Sequence, residues 1–106
     1  MKIMILGAGS AGGGLAEILA REGNSVTLVD EQSSVLDEYA SRTDLRTICG
    51  KPSHPDILEQ ADAGDTDMLI ALTTSDETNI VACQIASTLF NAVSYTHLTL
   101  PTILLV

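Results

Sequence analysis

The sequence predicts an α/β protein built on a doubly wound parallel sheet, truncated after its fourth β-α unit. Three observations predict it. Short apolar or β-branched runs recur four times, each is followed by apolar residues at helical spacing, and the connections between them are short. Parallel strands need crossover connections, so this alternation places helices over a single parallel sheet.

Lys2–Leu6 (KIMIL) is a nearly continuous apolar run, as expected of a strand buried on both faces. A glycine-rich turn follows, then Leu15, Ile18 and Leu19 at helical spacing, with the helix ending near Gly23. Ser25–Val29 (SVTLV) is β-branched and reads as the second strand, closed by Asp30. Ser34 and Asp37 have capping-box spacing and open a helix with Val35, Leu36, Tyr39 and Ala40 on its apolar side. Leu45–Cys49 (LRTIC) is the third strand, stopped by Gly50. Ser53-His54-Pro55-Asp56 repeats the capping-box pattern with Pro in the first turn, and Ile57, Leu58 and Ala61 lie behind it. Met68–Leu72 (MLIAL) is a fourth strand, more apolar than the third, and Thr74 with Glu77 caps a longer helix through Phe90. The expected strand order is 3-2-1-4.

Composition narrows the function. The chain has 106 residues, enough for one domain and no second substrate domain. Its 14 acidic and 5 basic side chains leave a formal charge of −9, which argues against binding nucleic acid or an anionic membrane surface. No charge-free apolar run approaches the roughly 20 residues needed to span a bilayer. Glycines interrupt the N-terminal run where a signal peptide would continue, so the protein reads as cytoplasmic. Cys49 and Cys83 are isolated and form neither a disulfide framework nor a metal site; two buried, reduced thiols are expected.

The turn Gly7-Ala8-Gly9-Ser10-Ala11-Gly12 matches G-x-G-x-x-G. The pattern alone is weak, but here it follows a strand, opens a helix and lies in a βαβ unit, the context of a Rossmann-like dinucleotide site. Gly7 permits the tight turn, Gly9 lets a pyrophosphate approach the backbone, and Gly12 allows close helix–strand packing. Free N–H groups at the helix start favour the bound anion. Gly13 and Gly14 extend the run at a cost in helix propensity, accepted where backbone approach matters. The alternative is a tight turn that binds nothing. Asp30, at the end of the second strand, can accept hydrogen bonds from both adenosine ribose hydroxyls and would repel a 2′-phosphate, which favours NAD(H), or another adenine nucleotide with a free ribose, over NADP. A capping or solvated aspartate is the competing reading. Thr73 and Thr74 follow the fourth strand, where their hydroxyls and N–H groups can reach a phosphate or the nicotinamide ribose. Capping by Thr74 or Ser75 is equally compatible. Asp76 and Glu77 suit the first turn of a helix as dipole partners. His54 sits in a helix-start motif without a nucleophile to serve, so no catalytic residue is assigned.

With these residues assembled, the chain resembles the N-terminal nucleotide-binding domains of the RCK (KTN) family, to which the TrkA regulatory subunits of bacterial potassium uptake systems belong. The similar stretches are MKIMILGAGSAGGGLAEILA, VTLVDE, DLRTICGKPSHPDIL and DMLIALTTSDETNIVACQIASTLFN, together covering residues 1 to about 92. The resemblance implies a non-catalytic module that binds NAD(H), with ATP or ADP as alternatives, through Gly7 to Ala11, Asp30, Thr73 and Thr74. It further implies assembly into a homo-oligomeric ring that docks on a potassium-translocating (TrkH-like) membrane protein at the inner face of the cell membrane. The competing function is the cofactor-binding fragment of an NAD-dependent dehydrogenase, because fold alone does not separate the two. A genomic continuation into a ligand-sensing subdomain would support the first, and a catalytic domain the second.

After Asn91-Ala92 the resemblance stops, where a family member continues into a fifth strand. Residues 93–106 (VSYTHLTLPTILLV) carry no charge, and every charged side chain lies at or before Glu77. Val93–Thr102 resembles a translated sequencing-library adapter, since the codons GTC TCT TAT ACA CAT CTG ACG CTG CCG ACG produce it. The expected domain is therefore residues 1–92, incomplete, with a non-native tail at 93–106. Loss of the fifth strand leaves the Met68–Leu72 edge unpaired, and TILLV in the tail is a candidate to lie on it.

Overall fold

The structure, a computed structural model, describes residues 1–89 and the backbone strands Ser94–Thr96 and Thr102–Leu105. Phe90, expected at the end of the last helix, lies outside the described residues.

Strand β1 (Lys2–Leu6) leads into helix α1 (Ser10–Arg21), β2 (Ser25–Asp30), α2 (Ser33–Arg42), β3 (Arg46–Cys49), α3 (Pro55–Gln60), a 3-10 turn (Ala63–Asp65), β4 (Met68–Ala71) and α4 (Asp76–Leu89). β5 (Ser94–Thr96) and β6 (Thr102–Leu105) follow, and the six strands form one sheet in the order β3-β2-β1-β4-β6-β5. The four parallel strands keep the expected 3-2-1-4 order, giving a Rossmann-like α/β fold. The 3-10 turn had no signal in the sequence.

The period-2 geometry of a strand divides the apolar run of β1 between two cores. Met4 and Leu6 face one side, with Val29, Leu58, Leu69, Ala82 and Ala86, under α3 and α4. Ile3 and Ile5 face the other, with Val26, Leu28, Leu36, Ile70 and Ala16, under α1 and α2. Met4, Ile5 and Leu6 are fully buried, which explains why the run shows no polar alternation.

The helix starts differ from the expected capping boxes. No side chain caps α2, whose N-cap is Gln32, and Ser34 lies inside the helix. Asp30 Oδ1 accepts the Gln32 N–H at 2.9 Å, which turns the chain before Ser34 is reached. In α3 the N-cap is His54, in extended backbone geometry, rather than Ser53. Pro55 favours that geometry in the preceding residue and itself occupies the first helical position. In α4, of the two capping residues the sequence offered, it is Ser75 and not the capping-box residue Thr74 that caps: Ser75 Oγ accepts the Thr78 N–H at 3.2 Å.

The thiols also divide. Cys83 is buried as expected, whereas Cys49 is exposed at the end of the edge strand β3, its thiol donating to the Glu31 carbonyl at 3.4 Å. No described helix is long and apolar enough to cross a membrane, and the described residues hold no cluster of His, Cys, Asp or Glu suited to a metal ion.

The far edge of β4 is covered. β6 pairs with it antiparallel, Met68 opposite Leu105 and Ala71 opposite Thr102, and β5 pairs in turn with β6. Thr102–Leu105 (TILL) thus lies on that edge, and Val106, the last residue of TILLV, falls outside the described residues.

Candidate functional site

The carboxyl ends of β1, β2 and β4 meet around the glycine turn. Gly7 donates its N–H to the Val29 carbonyl at 2.7 Å and has φ +104°. A Cβ there would lie 2.7 Å from the Leu72 carbonyl oxygen, so both the backbone conformation and the space require glycine. Gly12 is held to glycine by a different neighbour: a Cβ would collide with the Gly7 carbonyl oxygen, where α1 crosses over the end of β1. Gly13 is packed against the ring of Tyr39 on α2, so its role is helix–helix contact rather than approach to a ligand.

Asp30 ties the turn to β2. Its Oδ2 accepts the Ala8 N–H at 2.8 Å while Oδ1 accepts that of Gln32. The carboxylate therefore fixes the glycine turn on one side and the start of α2 on the other. Each of its oxygens retains a further acceptor position. Gly9 is the N-cap of α1 and is exposed, with open space around its missing Cβ. No side chain caps α1, and no acidic residue occupies its first turn. The first N–H groups of a helix have no intrahelical partner, so this end presents donors and a partial positive charge.

On the opposite side, the segment after β4 is shaped by Asn79. This side chain is fully buried, and its Oδ1 accepts the Thr73 N–H at 3.1 Å and the Thr73 hydroxyl at 2.6 Å. Its Nδ2 donates to the Thr73 carbonyl at 3.3 Å, and the Thr73 hydroxyl accepts the Ser75 N–H at 3.2 Å. The Thr73 hydroxyl is thus committed to holding its own turn, while Thr74 stands exposed beside it. Asn79 was not singled out in the sequence. Its signal was a polar residue at helical spacing from Ala82, Cys83 and Ala86, on the face that turns out to be buried.

These segments enclose a groove of about 380 Å³. Six of the nine expected site residues line it: Gly7, Ala8, Gly9, Asp30, Thr73 and Thr74. Ser10 and Ala11 are exposed but not in its wall, and Gly12 is buried beneath the turn. Val35 and Pro52 add apolar surface that the sequence had not marked, and Glu31 adds a second carboxylate. His54 is exposed at the start of α3 and is not part of the wall.

Against known proteins, the sequence matches the TrkA-N domain model over residues 3–99, most of its length. The chain belongs to the TrkA-N domain family. It is 55% identical over 91 residues to the Trk system potassium uptake protein TrkA of Vibrio alginolyticus, covering 86% of this chain and 20% of that protein. To its counterpart in Halomonas elongata it is 56% identical over 90 residues, covering 85% and 20% respectively. The chain thus spans about a fifth of the length of these relatives. Among solved structures, the fold matches that described as Shewanella denitrificans Kef CTD in AMP bound form, with TM-score 0.69 and 19% identity, over 86% of this chain and 54% of that one. At that identity the likeness is one of fold.

Proposed function

We propose that this domain binds an adenine nucleotide, NAD(H) in the first place and ATP or ADP as alternatives, as a non-catalytic regulatory module of a potassium uptake system. The observation that carries the reading is the Asp30 bridge. One carboxylate holds the glycine turn, keeps an acceptor position on each oxygen for ribose hydroxyls, and faces the same groove as the uncapped start of α1. The phosphate belongs over Gly9 and the first N–H groups of α1, and the apolar surface of Val35 and Pro52 suits the base. The AMP-bound state of the structural neighbour and the potassium-uptake names of the relatives agree with this reading.

Within an intact protein, the domain would sit in a homo-oligomeric ring in the cytoplasm, docked on a potassium-translocating membrane partner of the TrkH type. Nucleotide would control that partner by favouring one arrangement of the ring, to the extent that affinity differs between arrangements. The native domain portion is residues 1–92, and residues 93–106 are an adapter-derived tail whose β6 replaces a lost strand.

Calorimetric titration of the chain with NADH, NAD and ADP tests the site. Binding is expected, and Asp30→Ala should weaken it about tenfold or more through loss of charge-assisted hydrogen bonds. No binding of any of the three, or unchanged affinity in the variant, would remove the groove or Asp30 from the function.

A further inference from the structure

The outer edge of β4 is held differently from the rest of the sheet. β1 to β4 are mutually parallel and joined through helices. β6 instead runs antiparallel to β4, from Thr102 opposite Ala71 to Leu105 opposite Met68. β5 is antiparallel to β6 in turn, so it runs parallel to β4. β5 thus has the direction that a crossover through α4 gives, but it stands one place too far out, and β6 fills the place between.

Little besides the main-chain ladder fixes β6 there. Residues 102–105 carry no ionisable side chain, so no ion pair anchors the strand. On one face of the sheet α4 packs across β4, β6 and β5. On the other face α1 and α2 pack over β1, β2 and β3, and neither packs to a comparable extent on β6. What the edge offers is therefore a row of backbone N–H and C=O groups along the uncharged run Met68–Ala71, with one helix beside it. Such an edge recognises an extended segment by its main chain and is a template for pairing with another chain. The net charge of −9 disfavours an acidic one.

We propose that the outer edge of β4 is a strand-acceptor site for an extended, non-acidic, β-branched peptide running antiparallel to β4, and that β6 occupies it as an exchangeable intramolecular ligand. The partner that fits is a second copy of the 102–105 segment, supplied from another chain or as a free peptide. Tethering gives β6 an effective concentration in roughly the millimolar range, so a free peptide displaces it only at comparable concentration or once β6 is disabled. The proposal concerns the sheet edge and is independent of nucleotide binding.

The probe is a synthetic peptide with the sequence of residues 99–106 (TLPTILLV), preceded by two lysines for solubility. Hydrogen exchange of the full wild-type chain is followed by mass spectrometry with and without the peptide at millimolar concentration. Exchange in residues 102–105 should rise while Met68–Ala71 stays protected, because the peptide replaces β6 on the same edge. The same peptide with the Ile103→Pro change lacks a ladder N–H and should have no effect. Unchanged exchange in 102–105, or an equal effect of the proline peptide, overturns the proposal. In a second measurement, the full chain carrying Ile103→Pro should bind the fluorescently labelled peptide at least about tenfold more tightly than wild type, the tethered competitor being disabled. Equal affinity of the two folded chains overturns the proposal as well, and the wild-type exchange result decides by itself where the variant does not fold.

Discussion

Asp30 shows how one side chain sets a site. Accepting from both Ala8 and Gln32, it joins a turn and a helix start that are far apart in sequence. Gly12 does comparable work by having no side chain. Gly12→Ala would gain about 1 kcal/mol in helix propensity but place a methyl against the Gly7 carbonyl oxygen, backbone that cannot easily move. The clash should win, with a net loss of about 1–2 kcal/mol in denaturant unfolding. Gly14→Ala meets nothing within 4 Å and should instead stabilise by up to about 1 kcal/mol. A loss at Gly14 as large as at Gly12 would contradict this account. The thiols make a second residue-level prediction. Burial pushes the Cys83 thiol up to about 11 from 9.0, so the folded state holds its proton more tightly than the unfolded state. That contribution to stability is full below about pH 9 and lost as pH rises toward 11. Cys49, exposed, should react with a thiol reagent in the native protein, and Cys83 only on unfolding; equal rates would refute the burial. At this scale the glycines and Asp30 were legible because special backbone positions restrict residue type. Asn79 and Glu31 were not, because their roles depend on what folds against them.

Among the elements, the strands were read almost to the residue, and the helix starts were not. A strand buried on both faces announces itself by a continuous apolar run, whereas a cap is decided by hydrogen bonds that several neighbouring hydroxyls and carboxylates compete to make. Asp30 displaced the cap expected at Ser34, Pro55 displaced that at Ser53, and Ser75 took the place of Thr74. The most consequential element is β6. Its ladder with Met68–Ala71 satisfies an edge that would otherwise present unpaired N–H and C=O groups along an apolar strand. A chain ending at Ala92 should therefore self-associate at lower concentration than the full chain, as read by sedimentation or light scattering. Indistinguishable behaviour of the two chains would show that β6 does not protect β4.

For the molecule as a whole, the sheet order brings the ends of β1, β2 and β4 together, and the groove lies where the chain switches from one face of the sheet to the other. The two ends of the sheet differ electrostatically. Beside the starts of β1, β2 and β3, Lys2 and Arg46 pair with Asp65 and Asp62, and the groove at the other end is left with carboxylates and the open end of α1. The sequence by itself determined the alternation of strands and helices, the parallel order, the glycine turn and the acid after β2. Each depends on local residue type and short-range periodicity, which the chain carries in one dimension. Tertiary structure alone decided which face each helix covers, that Asn79 rather than Thr74 organises the turn after β4, and where the cations are spent. Those outcomes depend on which distant groups come within hydrogen-bonding or ion-pairing range, and that is set by how the crossovers pack on the sheet.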